Sequence, residues 1–333
     1  MKKRVLLTGG AGFIGSHTYV ALVSAGYDVT ILDNFENAQK TVPARLEQIT
    51  GTPIKLIECD IRDEQAVMAA FEGRDFDAVV HYAALKSVPE SDADPLGYHQ
   101  TNCSGLIHVA AAMQAHGVNA IVFSSSAAVY GSTDDIPIAE DTPPAPQNVY
   151  ARTKLFGEEF LTSIAAANPA LRTGILRYFN PVGAHPSGLI GEDPSLPPTN
   201  LVPVIARVAN RQLDKLMVFG GAYPTPDGTG IRDYIHVLDL AEGHVLSLNA
   251  LLNEGQSHLV NLGTGRGYSV LEVLRTYEDV IGRPIPHEIV DPRPGDAAVS
   301  YAKTALAKSL LGFEARHGLK SMCESNWAFS GKD

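Results

Sequence analysis

A glycine-rich turn wedged between an apolar run and a helical pattern constrains this chain more than any other feature. Thr8-Gly-Gly-Ala-Gly-Phe-Ile-Gly15 follows the strand-like run Val5–Thr8 and opens a helical pattern over Ile14–Ala25. Gly9, Gly12 and Gly15 recur at intervals of three. Missing side chains there permit a tight turn, close approach of the backbone to a pyrophosphate, and close helix–strand packing. Phe13 and Ile14 then bring the first free helical amides to the same spot. Asp33 ends the next strand-like run, Val29–Leu32, where its carboxylate can accept from a ribose 2′-hydroxyl. It would repel a 2′-phosphate, and Asn34, Phe35 and Glu36 follow it without an arginine. The turn therefore predicts a dinucleotide site that takes NAD rather than NADP, with Asn34 at its rim. Asp60-Ile61, after the third run, bounds the adenine on this reading, or simply precedes a helix led by Asp63.

The pattern that begins here continues through the first half. Val5–Thr8, Val29–Leu32, Ile54–Ile57, Ala78–Tyr82, Ala120–Ser124 and Thr173–Tyr178 read as strands buried on both faces. Helical periodicity falls between most of them, over Ile14–Ala25, Asp63–Phe71, Tyr98–His116 and Tyr150–Ala166. Such alternation predicts an α/β fold with a doubly wound parallel (Rossmann) sheet, whose binding crevice lies at the carboxyl ends of the strands. After Phe179 the texture changes, with Pro/Gly-rich loops at Pro181–Pro198 and Gly220–Gly230 and helical patterns at Leu201–Asn210, Val237–Leu252 and Val270–Ile281. This predicts an NAD-binding domain over 1–180 and a smaller α/β substrate domain over 181–333, with segments around 234–262 free to pack back onto the sheet.

Composition removes several classes of function. The 333 residues carry 26 Lys+Arg against 37 Asp+Glu, a net charge of −11 with no dense basic block. That argues against nucleic acid and against an anionic membrane surface as partners. No segment offers the ~18 apolar residues of a membrane span, and the N-terminus runs straight into the first strand without a cleavable leader. A cytoplasmic protein is the expectation. Cys59, Cys103 and Cys323 are far apart, and the 11 histidines form no ligand cluster, so no metal is expected.

The chemistry-bearing stretch is Tyr150-Ala-Arg-Thr-Lys154, downstream of Ser124-Ser125-Ser126. A tyrosine four residues before a lysine puts both side chains on one helix face. A free phenol titrates near ~10 and is a poor base at neutral pH. A lysine cation beside it, with a positive cofactor, favours the phenolate and makes proton abstraction from a hydroxyl feasible. Ser126 ends a strand that faces the cofactor crevice. The plainer alternatives are an ordinary helix start and turn-forming serines. A serine hydrolase is a poor reading, because no Gly-x-Ser-x-Gly elbow surrounds these serines.

Rarer segments complete the pattern: Ala84-Leu-Lys86, Val88-Pro-Glu-Ser91, Ser124-Ser-Ser-Ala-Ala-Val-Tyr-Gly131, Arg177-Tyr-Phe-Asn-Pro-Val-Gly-Ala-His-Pro-Ser-Gly188, Asp227-Gly-Thr-Gly-Ile-Arg-Asp-Tyr-Ile-His236 and Asn261-Leu-Gly-Thr-Gly265. With these, nearly the whole chain resembles the extended short-chain dehydrogenase/reductase family, and within it the branch that epimerises UDP-hexoses at C4. The resemblance implies a tightly held NAD that is reduced and reoxidised in each turnover of UDP-glucose and UDP-galactose. It implies that Tyr150 takes the proton from the sugar 4-hydroxyl, that Lys154 bridges the nicotinamide ribose and lowers the tyrosine pKa, and that Ser126 bonds the 4-oxygen. Lys86, Asn102, Ser124 and Tyr178 match positions along the cofactor crevice. Lys86 also faces substrate, together with Asn180, Asn200, Phe219 and the diphosphate cations Arg232 and Arg293, while Asp296 matches a ribose acceptor. Ser300 aligns with the position that restricts or admits 2-N-acetylated sugars, a small residue resembling the permissive members. Ala128, Val149, Ala151 and Pro89 depart from the pattern without removing a reacting group. A homodimer through a helix pair is also implied. The alternatives are another nucleotide-sugar epimerase or dehydratase, or a silent NAD-binding regulator on the same fold. A dehydratase needs a carboxylate beside the serine, where Ala127 and Ala128 stand, and a silent regulator would lack Tyr150, Lys154 or Ser126.

Overall fold

The structure is a computed structural model that describes residues 2–195, 198–293 and 296–331. Its first half lays down β1 (Arg4–Thr8), α1 (Phe13–Ser24), β2 (Asp28–Asp33), α2 (Val42–Thr50), β3 (Lys55–Glu58), α3 (Glu64–Phe71) and β4 (Ala78–His81). There follow α4 (Val88–Ala93), α5 (Pro95–His99), a π-helical turn over Gln100–Ser104, α6 (Gly105–Ala115), β5 (Ala120–Ser126), α7 (Val149–Ala167) and β6 (Arg172–Tyr178). The second half adds β7 (Asn180–Val182), α8 (Leu201–Ala209), β8 (Leu216–Phe219), β9 (Ile231–His236), α9 (Val237–Asn249) and β10 (His258–Leu262). It closes with β11 (Gly267–Ser269), α10 (Val270–Ile281), β12 (His287–Val290), β13 (Val299–Ser300), α11 (Ala305–Leu311) and α12 (Leu319–Ser330).

Seven parallel strands form one sheet in the order β10-β6-β5-β4-β1-β2-β3. The order reverses between β1 and β4, which fixes the crevice at their carboxyl ends. Both faces of the central strands are covered. Val5, Leu7, Ile31, Val80 and Val122 pack under α1 and α9, while Leu6, Val79, Ile121 and Phe123 pack under α3, α6 and α7. Each fully buried aliphatic side chain of this kind contributes roughly 1.5–3 kcal/mol. The doubly wound sheet with a smaller α/β unit is the architecture the alternating pattern predicts.

Two expectations need correction. β3 is not buried on both faces: Lys55 and Glu58 are exposed and Leu56 is 40% exposed, because β3 is the sheet's edge and has a neighbour on one side only. The single helix read over Tyr98–His116 is broken by the π turn, which packs Thr101, Asn102 and Cys103 inward. α9 and β10 lie on the large sheet, α9 beside α1 and β10 beside β6, although both follow residue 180. The remaining strands β7, β9, β11 and β13 form a small sheet, β8 pairs with β12, and α8, α10 and α12 share a third apolar core. No helix among the described residues is long and apolar enough to cross a membrane.

Candidate active site

A cavity of about 940 Å³ opens at the carboxyl ends of β1, β2, β4 and β5 and runs across to β7, β9 and β13. At its floor the glycine turn is built as its spacing requires. Gly9 has φ +68°, a conformation that L side chains resist, and a Cβ there would stand 2.7 Å from the amide nitrogen of Ala83. A Cβ on Gly15 would meet the Gly9 carbonyl oxygen at 2.2 Å. Gly12 caps α1 without any side-chain bond, which leaves the amides of Phe13, Ile14 and Gly15 to face an anion.

Asp33 is buried at the end of β2, where Ala11 N–H and Phe35 N–H each donate to its carboxylate at 2.9 Å. Burial pushes its pKa above the usual carboxylate range, and those two bonds oppose the shift. Asp60 accepts from Asn34 at 3.0 Å and from Arg62, whose bonds hold the carboxyl down to about 2. Asp63, not Asp60, caps α3, through Ala66 N–H. Two buried polar atoms in the cavity wall, Asn37 Oδ1 and Thr101 Oγ1, have no partner of their own. A ribose or an adenine would satisfy them, so the turn, Asp33 and these orphans together fit a dinucleotide.

The reactive pair sits beside that wall. Asn148 caps α7 by accepting from Ala151 N–H at 2.9 Å, which sets Tyr150 in the first turn and Lys154 one turn on. Both side chains are buried. Ser126 flanks the Tyr150 phenol, and its Oγ is fixed by accepting from Ala128 N–H at 3.2 Å. Burial raises the phenol pKa and the neighbouring Ser126 hydroxyl pulls it down in part. Lys154 Nζ donates to Ser124 O at 2.9 Å and lies 5.9 Å from the Tyr150 ring centroid. Burial lowers its ammonium to about 8. Ser126 thus favours the phenolate from beside it, while the Lys154 hydrogen bond goes to Ser124 O and its charge acts on the phenol without a bond to it. Ser124 and Tyr178 lie together at the cavity wall.

Across the cleft, β9 supplies Arg232, which pairs with Asp296, and Arg293 stacks over the Phe219 ring at 3.9 Å. Asn180, Asn200 and Ser300 line the same end, Ser300 lying beside Arg232 in the β13–β9 register. Asn102 is the one expected contact that does not reach the cavity. It is buried in the π turn, where Oδ1 accepts from Leu85 N–H at 2.8 Å and Nδ2 donates to Leu85 O and Thr153 Oγ1, each at 3.0 Å. Its work is to staple the Lys86 segment to the Tyr150 helix.

Comparison with known proteins accords with this geometry. Residues 5–263 match the model of the NAD dependent epimerase/dehydratase family. UDP-glucose 4-epimerase of Bacillus subtilis (strain 168) is 48% identical over 329 residues, 99% of this chain and 97% of that one. The chain belongs to the UDP-glucose 4-epimerase family. Among solved members, the Stenotrophomonas maltophila enzyme with bound NAD and formylated UDP-arabinopyranose superposes with a TM-score of 0.96 at 48% identity, covering 98% of each chain. The UDP-Glc/GlcNAc 4-epimerase of Campylobacter jejuni gives a TM-score of 0.86 at 36% identity, again over 98% of each.

For an epimerase of this family, the structure adds residues that the sequence alone did not single out. Glu158 bonds Ser125 and forms a two-pronged ion pair with Arg177, at 2.9 and 2.6 Å, directly behind the serine run. Arg177 also lies 4.8 Å from the Tyr130 ring centroid, and Tyr130 donates to Asn261 at 2.7 Å. This network ties α7, β5, β6 and β10 into one block beneath Ser126 and Tyr150. The signal in the sequence was a glutamate and an arginine inside otherwise apolar patterns. Glu192, in the proline-rich loop before α8, is a further residue the structure adds; it lines the cavity and gave no signal by spacing.

Proposed function

We propose that this protein interconverts UDP-glucose and UDP-galactose by reversible inversion at C4 of the hexose, through a transient 4-keto sugar. The observation that carries this reading is the buried Tyr150 phenol beside the half-buried Ser126 hydroxyl, set in the wall of the cavity that holds the glycine turn. Gly9, Gly12, Phe13, Ile14, Gly15, Asp33, Asn34, Asp60, Ile61, Lys86, Ser124, Tyr178 and Lys154 would hold NAD, with Asn37 and Thr101 added by their orphaned polar atoms. NAD, when bound, supplies a hydride acceptor that returns what it takes, so no net oxidation occurs. Tyr150 accepts the proton of the 4-hydroxyl and gives it back, and Ser126 holds the 4-oxygen in line with that exchange. Arg232, Arg293, Asn180 and Asn200 grip the diphosphate, Asp296 the uridine ribose and Phe219 the base end. A firm hold there and few bonds to the hexose let the keto sugar present its other face. The test is incubation of the purified protein, without added NAD, with UDP-galactose. UDP-glucose is expected to form, and NAD to be released on denaturation. Absence of conversion with NAD present overturns the reading.

Ser300 extends this to sugar range. A small side chain on β13 leaves room for a 2-acetamido group, so UDP-GlcNAc is expected to turn over as well. Ser300→Tyr should lower that activity about 100-fold while changing UDP-glucose turnover less than about threefold, a steric rejection of roughly 2–3 kcal/mol. Wild-type turnover of UDP-GlcNAc below about one-thousandth of the UDP-glucose rate contradicts the proposal.

The lowered pKa of Lys154 gives a pH signature. Its ammonium is retained below about 8 and lost as pH rises through that value. With it goes positive charge that favours the Tyr150 phenolate, so kcat is expected to fall on the alkaline side with an apparent pKa no higher than about 8. A kcat profile still flat at about pH 9.5 is inconsistent with this role.

A homodimer belongs to the same proposal. Leu96 is 67% exposed and Ile107 40%, and Phe156 and Phe160 of α7 stack at 5.9 Å on the partly exposed side of that helix. Leu161 is spent in the core and Leu155 packs beneath, so the face available to a second copy is narrower than the apolar content of α7 suggests. Phe156→Glu is expected to shift sedimentation from dimer to monomer, and a wild-type monomer at about 10 μM would end this part of the reading.

A further inference from the structure

Glu192 occupies an unexpected place for an acid. Its side chain is 5% exposed, and it lines the cavity among the groups that grip the anionic part of the substrate. One oxygen, Oε1, accepts from Lys86 Nζ at 2.9 Å and from Asn200 Nδ2 at 2.8 Å. Lys86 comes from the loop after β4 and Asn200 from the start of α8, so the two donors reach the carboxylate from opposite sides of the cleft. The loop that carries Glu192 is tied down on either side of it. Arg45 donates to Leu189 O at 3.3 Å, and Ser195 N–H donates to Asn37 O at 3.1 Å. The carboxylate is thus held in the cleft by its own backbone.

We propose that Glu192 sets the affinity for the nucleotide: its carboxylate competes with the substrate diphosphate for the Lys86 ammonium and the Asn200 amide, and keeps bound UDP-sugar exchangeable. The inference rests on the epimerase reading, in which Asn200 grips the substrate diphosphate and Lys86 stands between cofactor and substrate. Two anionic groups that seek the same donors repel one another; Glu192 is shielded and Lys86 half exposed, so solvent screens that repulsion only in part. The reason such a competitor serves this reaction lies in its symmetry. Substrate and product carry the same UDP, so any extra grip on the diphosphate slows departure as much as it aids arrival. Uniform binding of that kind lowers KM without raising kcat. Of the cations at this end, Arg232 is likewise met by an acid, Asp296, whereas Arg293 rests on an aromatic ring. The cleft therefore tempers its positive charge at two points.

The experiment compares the purified holoprotein with Glu192→Gln, which keeps size and an acceptor oxygen but loses the charge. Calorimetric titration with UDP is expected to show about tenfold tighter binding in the variant, while uridine, which lacks phosphate, changes less than about twofold. Both KM and kcat for UDP-galactose should fall together as release slows. Glu192→Ala is expected to move UDP affinity in the same direction, which separates the charge from the fit of glutamine. UDP binding that is unchanged or weaker in both variants overturns the proposal, as does uridine tightened to the same extent as UDP. A loop-building role alone would loosen binding or shed NAD, not tighten the diphosphate selectively. If wild type binds UDP but leaves UDP-galactose unconverted, the epimerase reading fails while the affinity comparison still decides the role of Glu192.

Discussion

Replacing Tyr150 by phenylalanine is expected to lower kcat by about 10³-fold, with bound NAD retained and KM for UDP-galactose within about threefold of wild type. The substitution removes one oxygen from a side chain whose ring is already buried at the start of α7, so packing is kept and only the proton acceptor is lost. Ser126 cannot replace it. Its hydroxyl is held by Ala128 N–H and a serine alkoxide lies far outside reach at neutral pH. Ser126→Ala should cost less, about 10²-fold, since it orients the proton exchange without receiving the proton. A Tyr150→Phe variant within tenfold of wild-type kcat would falsify the base assignment.

The second large effect concerns stability. Glu158 and Arg177 are each 5% exposed in their side chains and share two hydrogen bonds. Arg177→Met leaves a buried carboxylate with no cation, and such breaks cost about 3–5 kcal/mol. Urea unfolding followed by circular dichroism should show a loss in that range with little change in slope. Because Glu158 also bonds Ser125, kcat should fall as well, through displacement of the strand end that carries Ser126. The double replacement Glu158→Leu/Arg177→Met should recover part of the stability, since a matched apolar pair leaves no uncompensated charge. A single-variant loss under about 1 kcal/mol would show that water or another group compensates the carboxylate.

The contrast between what the sequence revealed and what it hid follows from the range of the forces involved. The glycine turn and Asp33 were legible because a backbone that must pass within van der Waals reach of another strand excludes side chains at fixed positions. The strand–helix alternation was legible because burial imposes a period on neighbouring residues. β3 was misjudged because its apolar run, Ile54–Ile57, cannot report that no strand follows it outward. Asn102 carried a family match to the cofactor crevice, yet its bonds are to Leu85 and Thr153, partners separated from it by 17 and 51 positions. Glu158 and Arg177 stood in plain view as charges within buried patterns, but only the fold places them together. The roles proposed for Arg232, Arg293 and Asp296 came through resemblance, since a cleft made from loops has no period to read.

The route of the chain through its own sheet has a practical consequence. β10, α9 and α11 complete the layer around β6 and α1, yet they are made only after the chain has left to build β7, α8, β8 and β9. The segment that carries Asn180, Asn200, Phe219 and Arg232 is thus an excursion inserted between two adjacent strands, whereas Arg293 and Asp296 come after β10. A polypeptide cut near residue 180 would leave β6 as a bare edge and strip α1 of the helix beside it, an invitation to self-association. Halves of this protein cannot be exchanged between relatives as modules; a graft that keeps the nucleotide site whole must carry residues from both ends of the gene.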